Sequence, residues 1–135
     1  MERAASALVR GVGRVRWLRR LALSPVICRP GYWLVSGLAL AWGFVLGLGH
    51  TRSLGGLIVC SRMPMWAFGR GGTTIGAVYL TRDNTAPRVL AHEAVHRGQW
   101  KHYGLSFIPL YVAAGRDALH NRFEIEAGLS DGGYI

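Results

Sequence analysis

At 135 residues the chain has room for one small domain and not two. Half of its residues are apolar and no acidic or Ser/Pro-rich tract interrupts them, which excludes an intrinsically disordered chain. The net charge of +9 is unevenly carried: residues 1–80 hold ten Arg against the single acid Glu2, whereas residues 81–135 balance six basic with six acidic groups.

In chain order, residues 1–29 read as a basic N-terminal arm or helix, with seven Arg between Arg3 and Arg29. Residues 30–50 follow as a hydrophobic segment whose stretch 31–49, "GYWLVSGLALAWGFVLGLG", carries no charge. Nineteen such residues meet the lower part of the range for a membrane span, roughly 17–25. Tyr32 and Trp33 stand where an interfacial belt would put them. Three readings compete: a single membrane span, a buried helix of the domain, or the apolar core of an uncleaved signal. The expectation is membrane association, through one span or close attachment, and otherwise a cytoplasmic location. If the segment spans, the Arg excess before it holds the N-terminus in the cytoplasm.

From residue 54 to 135 the texture is that of a small α+β domain. "GGLIVC" and "TTIGAVYLT" read as short strands, the second bounded by the "GRGG" turn at 69–72. "RDNTAP" offers Asp, Asn and Thr as helix caps with Pro87 in the first turn, so a helix is expected from about 86 to 103, stopping at Gly104. Residues 105–115 form an apolar helix or connector broken near Pro109, and a last helix starts near Leu119 and fades at Gly132–Gly133. Cys28 and Cys60 form no C-x-x-C and are expected as buried thiols. The glycines at 69, 71 and 72 are not a phosphate loop, because no Lys-Ser/Thr follows them.

The chemistry lies in "AHEAVHRGQW". His92 and His96 are four apart, so on a helix they lie one turn above each other on one face and can converge on one ion. Gln99 and Tyr103 fall in the same sector. Glu93 is displaced by about 100°, where a carboxylate can act as general base without ligating the metal. Two core histidines satisfied by hydrogen bonds are the plain alternative. A catalytic zinc takes three protein ligands and keeps one position open. Downstream, Glu124 and Glu126 cannot both face the metal. Glu126 has Arg122 as an exposed i,i+4 partner, so Glu124 is the expected third ligand, with His120 in a supporting role.

An H-E-x-x-H followed 28 residues later by a helical E-x-x-A, here Glu124 to Ala127, resembles the gluzincin branch of the zincin metallopeptidases, in a size similar to the compact minigluzincins. The resemblance implies a minimal zincin-like domain of short sheet, motif helix and second ligand-bearing helix. It implies Zn2+ held by His92, His96 and Glu124, Glu93 as general base, and an extended peptide or protein substrate along the strand "TTIGAVYL". The family's acidic residue after E-x-x-A, which supports a ligating histidine, is Gly128 here, so Asn121 or Gln99 must substitute. Tyr79, Tyr103, Tyr111, His102 and His120 are the candidates for the oxyanion-stabilising group. The expected function is zinc-dependent peptide hydrolysis. The alternative is a catalytically inactive, membrane-associated interaction or sensory protein that binds zinc structurally. The Arg-rich arm lacks a nucleic-acid reading motif, which favours anionic lipid head groups as its partner.

Overall fold

A computed structural model describes all residues, Met1–Ile135. Its centre is a sheet of four short strands, β1 (Thr51–Leu54), β2 (Leu57–Cys60), β3 (Gly72–Ile75) and β4 (Val78–Thr81), in the order β1-β2-β4-β3. The outer pairs are antiparallel hairpins, and β2 runs parallel to β4 between them. The first hairpin turns on Gly55 and Gly56, at φ +59° and +80°. Two consecutive positive φ angles match the twist of antiparallel strands and are freely open to glycine.

The stretch "TTIGAVYLT" is therefore two strands and not the single one expected. It folds back at Gly76, which has φ +62° and sits so close to the neighbouring helix that a Cβ would lie 2.2 Å from Ser36 Oγ. Ser36 locks the turn by accepting the Ala77 amide at 2.9 Å and donating to the Tyr32 carbonyl at 2.7 Å. Strand β1, whose residues are mostly polar, was not foreseen at all.

Three helices precede the sheet: α1 (Glu2–Arg14), α2 (Arg16–Ala22) and α3 (Pro25–Leu46). The basic arm is thus two exposed helices plus the first turn of α3, and α1 packs against a later helix, α5 (Phe107–Ala113). The apolar segment 31–49 lies mostly within α3, whose inner positions Tyr32, Val35, Ser36, Ala39 and Gly43 are buried. Ala39 joins Ile58, Cys60, Val78 and Leu80 on one face of the sheet. No helix is long and apolar enough to cross a membrane, and the single span expected for 31–49 gives way to a helix laid on the sheet.

Close approach at Gly43 makes that packing testable. A Cβ there would meet Cys60 Cβ and Sγ at 2.6 Å and Leu80 Cδ2 at 2.8 Å, whereas one at Gly37 on the outer face meets nothing. Alanine gains about 1 kcal/mol of helix propensity over glycine, but overpacking costs about 1–3 kcal/mol. Gly37→Ala should therefore raise the denaturation midpoint and Gly43→Ala lower it.

On the opposite face of the sheet, Leu57, Val59 and Tyr79 pack against Val89 and Leu90 of α4 (Pro87–Tyr103). With apolar side chains on both faces, β2 and β4 read as continuous hydrophobic runs. Helix α4 starts with Pro87 at its first position, but its N-cap is Ala86 and no side chain caps it. The expected cap residues instead build the preceding turn, where the Thr81 hydroxyl accepts the Asn84 amide and the Asn84 carbonyl accepts the Tyr79 hydroxyl. Gly104 ends α4 at φ +58°, against the backbone of Cys28.

After a 3₁₀ turn, α5 runs unbroken with Pro109 in its first turn, where a missing amide costs nothing. The last helix, α6 (Arg122–Ala127), begins three residues later than expected. Its N-cap Asn121 accepts the Phe123 amide at 3.0 Å and donates to the carbonyls of Tyr111 and Gly115. A third cluster, with Tyr32, Trp100, Phe107 and Phe123, binds α3, α4, α5 and α6 together.

Candidate metal centre

Helix α4 turns His92, Glu93, His96 and Gln99 inward, and all four are buried. Helix α6, only six residues long, is fixed by the Asn121 cap and by Phe123 in the core, which brings Glu124 against them. Three ligand atoms then meet. His92 Nε2 lies 3.1 Å from His96 Nε2 and 3.1 Å from Glu124 Oε2, and His96 Nε2 lies 3.2 Å from the same oxygen. Ligands of a tetrahedral zinc at about 2.0–2.1 Å stand roughly 3.3 Å apart, so this triangle has the right edge for one small ion.

The remaining nitrogens fix how the rings are used. His92 Nδ1 donates to the Gly128 carbonyl at 2.8 Å, and His96 Nδ1 donates to Gln99 Oε1 at 2.8 Å. Gln99 is itself oriented by donating from Nε2 to the Phe123 carbonyl. With both protons on Nδ1, both Nε2 lone pairs point at a carboxylate oxygen. Three acceptors at this spacing repel one another unless a cation or a proton stands among them. Metal-bound histidines show this same pattern, the other ring nitrogen donating to a carbonyl or amide oxygen. A divalent cation fits this donor set.

The electrostatics agree. Burial alone would raise the Glu124 carboxyl, but the neighbouring imidazoles of His92 and His96 and the Tyr111 hydroxyl outweigh it and hold the group well below the usual carboxylate range. Burial lowers His92, yet the bond to Glu124, the Gly128 carbonyl and the nearby Glu93 charge win and raise it. The two shifts are the two sides of one contact, in which positive charge among the imidazoles and negative charge on the carboxylate favour each other.

Glu93 stands apart from the triangle. Its Oε2 accepts the Thr74 hydroxyl at 2.7 Å, and burial pushes its carboxyl up despite that bond and the two histidines. Thr74 belongs to β3, the last strand of the sheet, and its carbonyl accepts Trp100 Nε1 at 2.9 Å, which ties strand to helix. A cavity of about 390 Å³ opens in front, lined by the ligand set, Glu93, β3, Tyr111 and Tyr134. Its charged rim is Arg70 and Arg116. Arg70 sits 5.0 Å from the Tyr134 ring centre.

The structure thus gathers His92, Glu93, His96, Gln99 and Glu124, and leaves Glu126 exposed. Other expected site residues lie elsewhere. Tyr103 stacks on Phe107 and meets Phe123 edge-on in the aromatic core. His120 is exposed and bonds Asp117 at 2.6 Å. Asn121 supports the backbone of α6 and touches neither histidine. Tyr79 is buried, bonded to Asn84 and pushed up to about 12, chiefly by desolvation. His102 faces solvent. The support expected from an acidic residue after E-x-x-A comes from Gly128 itself, through its carbonyl. A carbonyl carries no residue type, so no sequence signal could have shown it.

Thr74 and Tyr134 were missed. The C-terminal turns lie directly on the site: a Cβ at Gly132 would be 2.5 Å from His92 Cε1, and the Tyr134 ring is 6.0 Å from the imidazole. Tyr111, one of several phenols considered, donates to Glu124 Oε1. Tyr111→Phe should weaken metal affinity by roughly 10–100-fold, the usual effect of losing an outer partner of a ligand. Competition with a fluorescent zinc chelator measures it.

Comparison with family models, with curated proteins and with solved structures finds no significant match.

Proposed function

We propose that the protein is a zinc-dependent metallopeptidase with a minimal zincin-like architecture. The observation that carries this proposal is the pairing of a His92–His96–Glu124 donor triangle with a separate buried carboxylate, Glu93, at the mouth of a cavity bordered by a sheet-edge strand. A purely structural site has no need of an open approach. Zinc held by the triangle would supply Lewis acidity, lowering the pKa of a water toward about 7 and polarising a carbonyl.

The chain's own residues do the rest. Glu93, with its carboxyl raised by burial and aimed by the Thr74 hydroxyl, accepts the proton of the attacking water and passes it to the leaving amine. Strand β3 pairs only with β4, so its outer edge offers backbone groups to an extended peptide. Of the phenols on the cavity, Tyr111 is committed to Glu124, which leaves Tyr134 as the donor nearest to hand for a developing oxyanion.

The test is zinc content together with hydrolysis of a mixed peptide library by the purified full chain. One equivalent of zinc with chelator-sensitive cleavage is the expected result. One equivalent of zinc without any cleavage would make the protein a metal-stabilised interaction module instead. No zinc bound by a folded, chelator-free sample would overturn the metal centre itself.

A further inference from the structure

Helix α3 is apolar on both sides, and only one side is used. Its inner face carries Cys28, Gly31, Tyr32, Val35, Ser36, Ala39 and Gly43 and is closed against the sheet and α4. The outer face repeats at helical spacing through Val26, Trp33, Leu34, Leu38, Trp42 and Val45, each between 46% and 77% exposed. No charged side chain occurs from Pro30 to Gly49. A helix on the surface of a globular domain normally turns polar residues outward.

The stripe continues beyond the helix. Trp66 packs edge-on against Trp42 with ring centres 5.9 Å apart and is itself 71% exposed. Four of the five tryptophans, Trp17, Trp33, Trp42 and Trp66, stand in solvent, and only Trp100 is buried. Indole rings favour the boundary between hydrocarbon and water. The helix just upstream supplies the complementary charge: Arg16, Arg19 and Arg20 of α2, and Arg29 at the start of α3, are exposed. Glu2 is the one acid in the first 80 residues.

We propose that the outer face of α3 docks on an anionic lipid bilayer, lying in the interface with its tryptophans and leucines inserted and the flanking arginines on the head groups. The helix cannot leave the domain to cross the membrane. Gly43 is wedged against Cys60 and Leu80, Ser36 holds the β3–β4 turn, and withdrawal would strip one face of the sheet. A second copy of the chain is the poorer occupant. It matches the stripe in apolarity but brings the same unbalanced arginines, so the two surfaces repel. Lipid head groups supply the anions that a partner copy lacks. Nothing in this inference depends on the metal site, since no residue of α3 lines that cavity.

Co-sedimentation of the full chain with vesicles tests it, using phosphatidylcholine alone and phosphatidylcholine with about one third phosphatidylserine. The wild type should partition at least tenfold better onto the anionic vesicles, with a blue-shifted tryptophan emission quenched by brominated acyl chains. The double substitution Leu34→Ser and Leu38→Ser, at exposed positions, should lower partitioning at least tenfold while circular dichroism stays unchanged. Absence of binding to either vesicle overturns the proposal. So does binding that the double variant retains in full without quenching, which would reduce the contact to the arginines alone. Concentration-dependent dimers dissolved by the double variant, with no vesicle binding, would assign the stripe to a second copy.

Discussion

Glu93→Gln should leave one equivalent of zinc bound while kcat for peptide hydrolysis falls by about 10²–10⁴, the range that a positioned general base contributes. Glutamine is the same size and its carbonyl oxygen can still accept the Thr74 hydroxyl, so the site keeps its shape. What it cannot do is take a proton. Glu93 makes no hydrogen bond to the three ligand atoms, whose support comes from Gly128, Gln99 and Tyr111, so the donor triangle should still hold zinc. Stability should hold or rise slightly, because a buried carboxylate is replaced by a neutral amide. Two results separate the alternatives. Unchanged turnover would remove Glu93 from the mechanism, and turnover lost together with zinc would make it a structural residue. The measurement pairs elemental zinc analysis with steady-state rates on whichever library peptide the wild type cleaves.

Much of this site is legible in the sequence because its main residues sit on one helix. The i,i+4 spacing of His92 and His96 sets their common face, Pro87 and Gly104 mark the ends of α4, and the same periodicity places Gln99 inward. Glu124 is chosen over Glu126 from the i,i+4 spacing of Arg122 to Glu126 and from the small Ala127 and Gly128 on the Glu124 face, although Arg122 lies over the Phe123 ring and forms no ion pair with Glu126. The outer contacts are different in kind. Gly128 acts through its carbonyl, Thr74 reaches Glu93 across 19 residues from another element, and Tyr134 arrives through a Gly-Gly tail that looks like a fading terminus. None of these follows from local periodicity.

The fold shows the same division. A four-residue polar strand such as β1 carries no alternation strong enough to see. The break in "TTIGAVYLT" depends on Ser36, some 40 residues away in sequence, which holds the turn at Ala77. For α3 the hydropathy showed the composition and left the destination open between a span and a helix of the domain. Apolarity on every side is what a span and a sheet-covering helix with an exposed stripe have in common, and only the tight contacts at Gly43 and Gly76 distinguish them.

Removing the metal should cost stability as well as activity. Metal that binds the folded chain with free zinc at about a thousand times Kd stabilises it by about 4 kcal/mol. For a domain of this size that is roughly 10–20 °C in Tm. The effect should be strong here because of how α6 is held. Six residues cannot sustain a helix alone, and its ties to α4 are Phe123 in the core, Gln99 on the Phe123 carbonyl and the Glu124 contacts. Without a cation the three acceptor atoms repel one another and those contacts weaken. Because the ligands must shed protons to bind metal, the stabilisation by zinc should also weaken as the medium becomes acidic. Calorimetry of zinc-loaded and chelator-treated wild type, His96→Ala and Glu126→Ala reads all of this. The shift should be present in wild type, absent in His96→Ala, and intact in Glu126→Ala, whose carboxylate faces solvent. A shift that survives in His96→Ala and disappears in Glu126→Ala would move the metal off the triangle altogether. Equal Tm values for the loaded and stripped wild type would mean that the folded chain does not hold zinc.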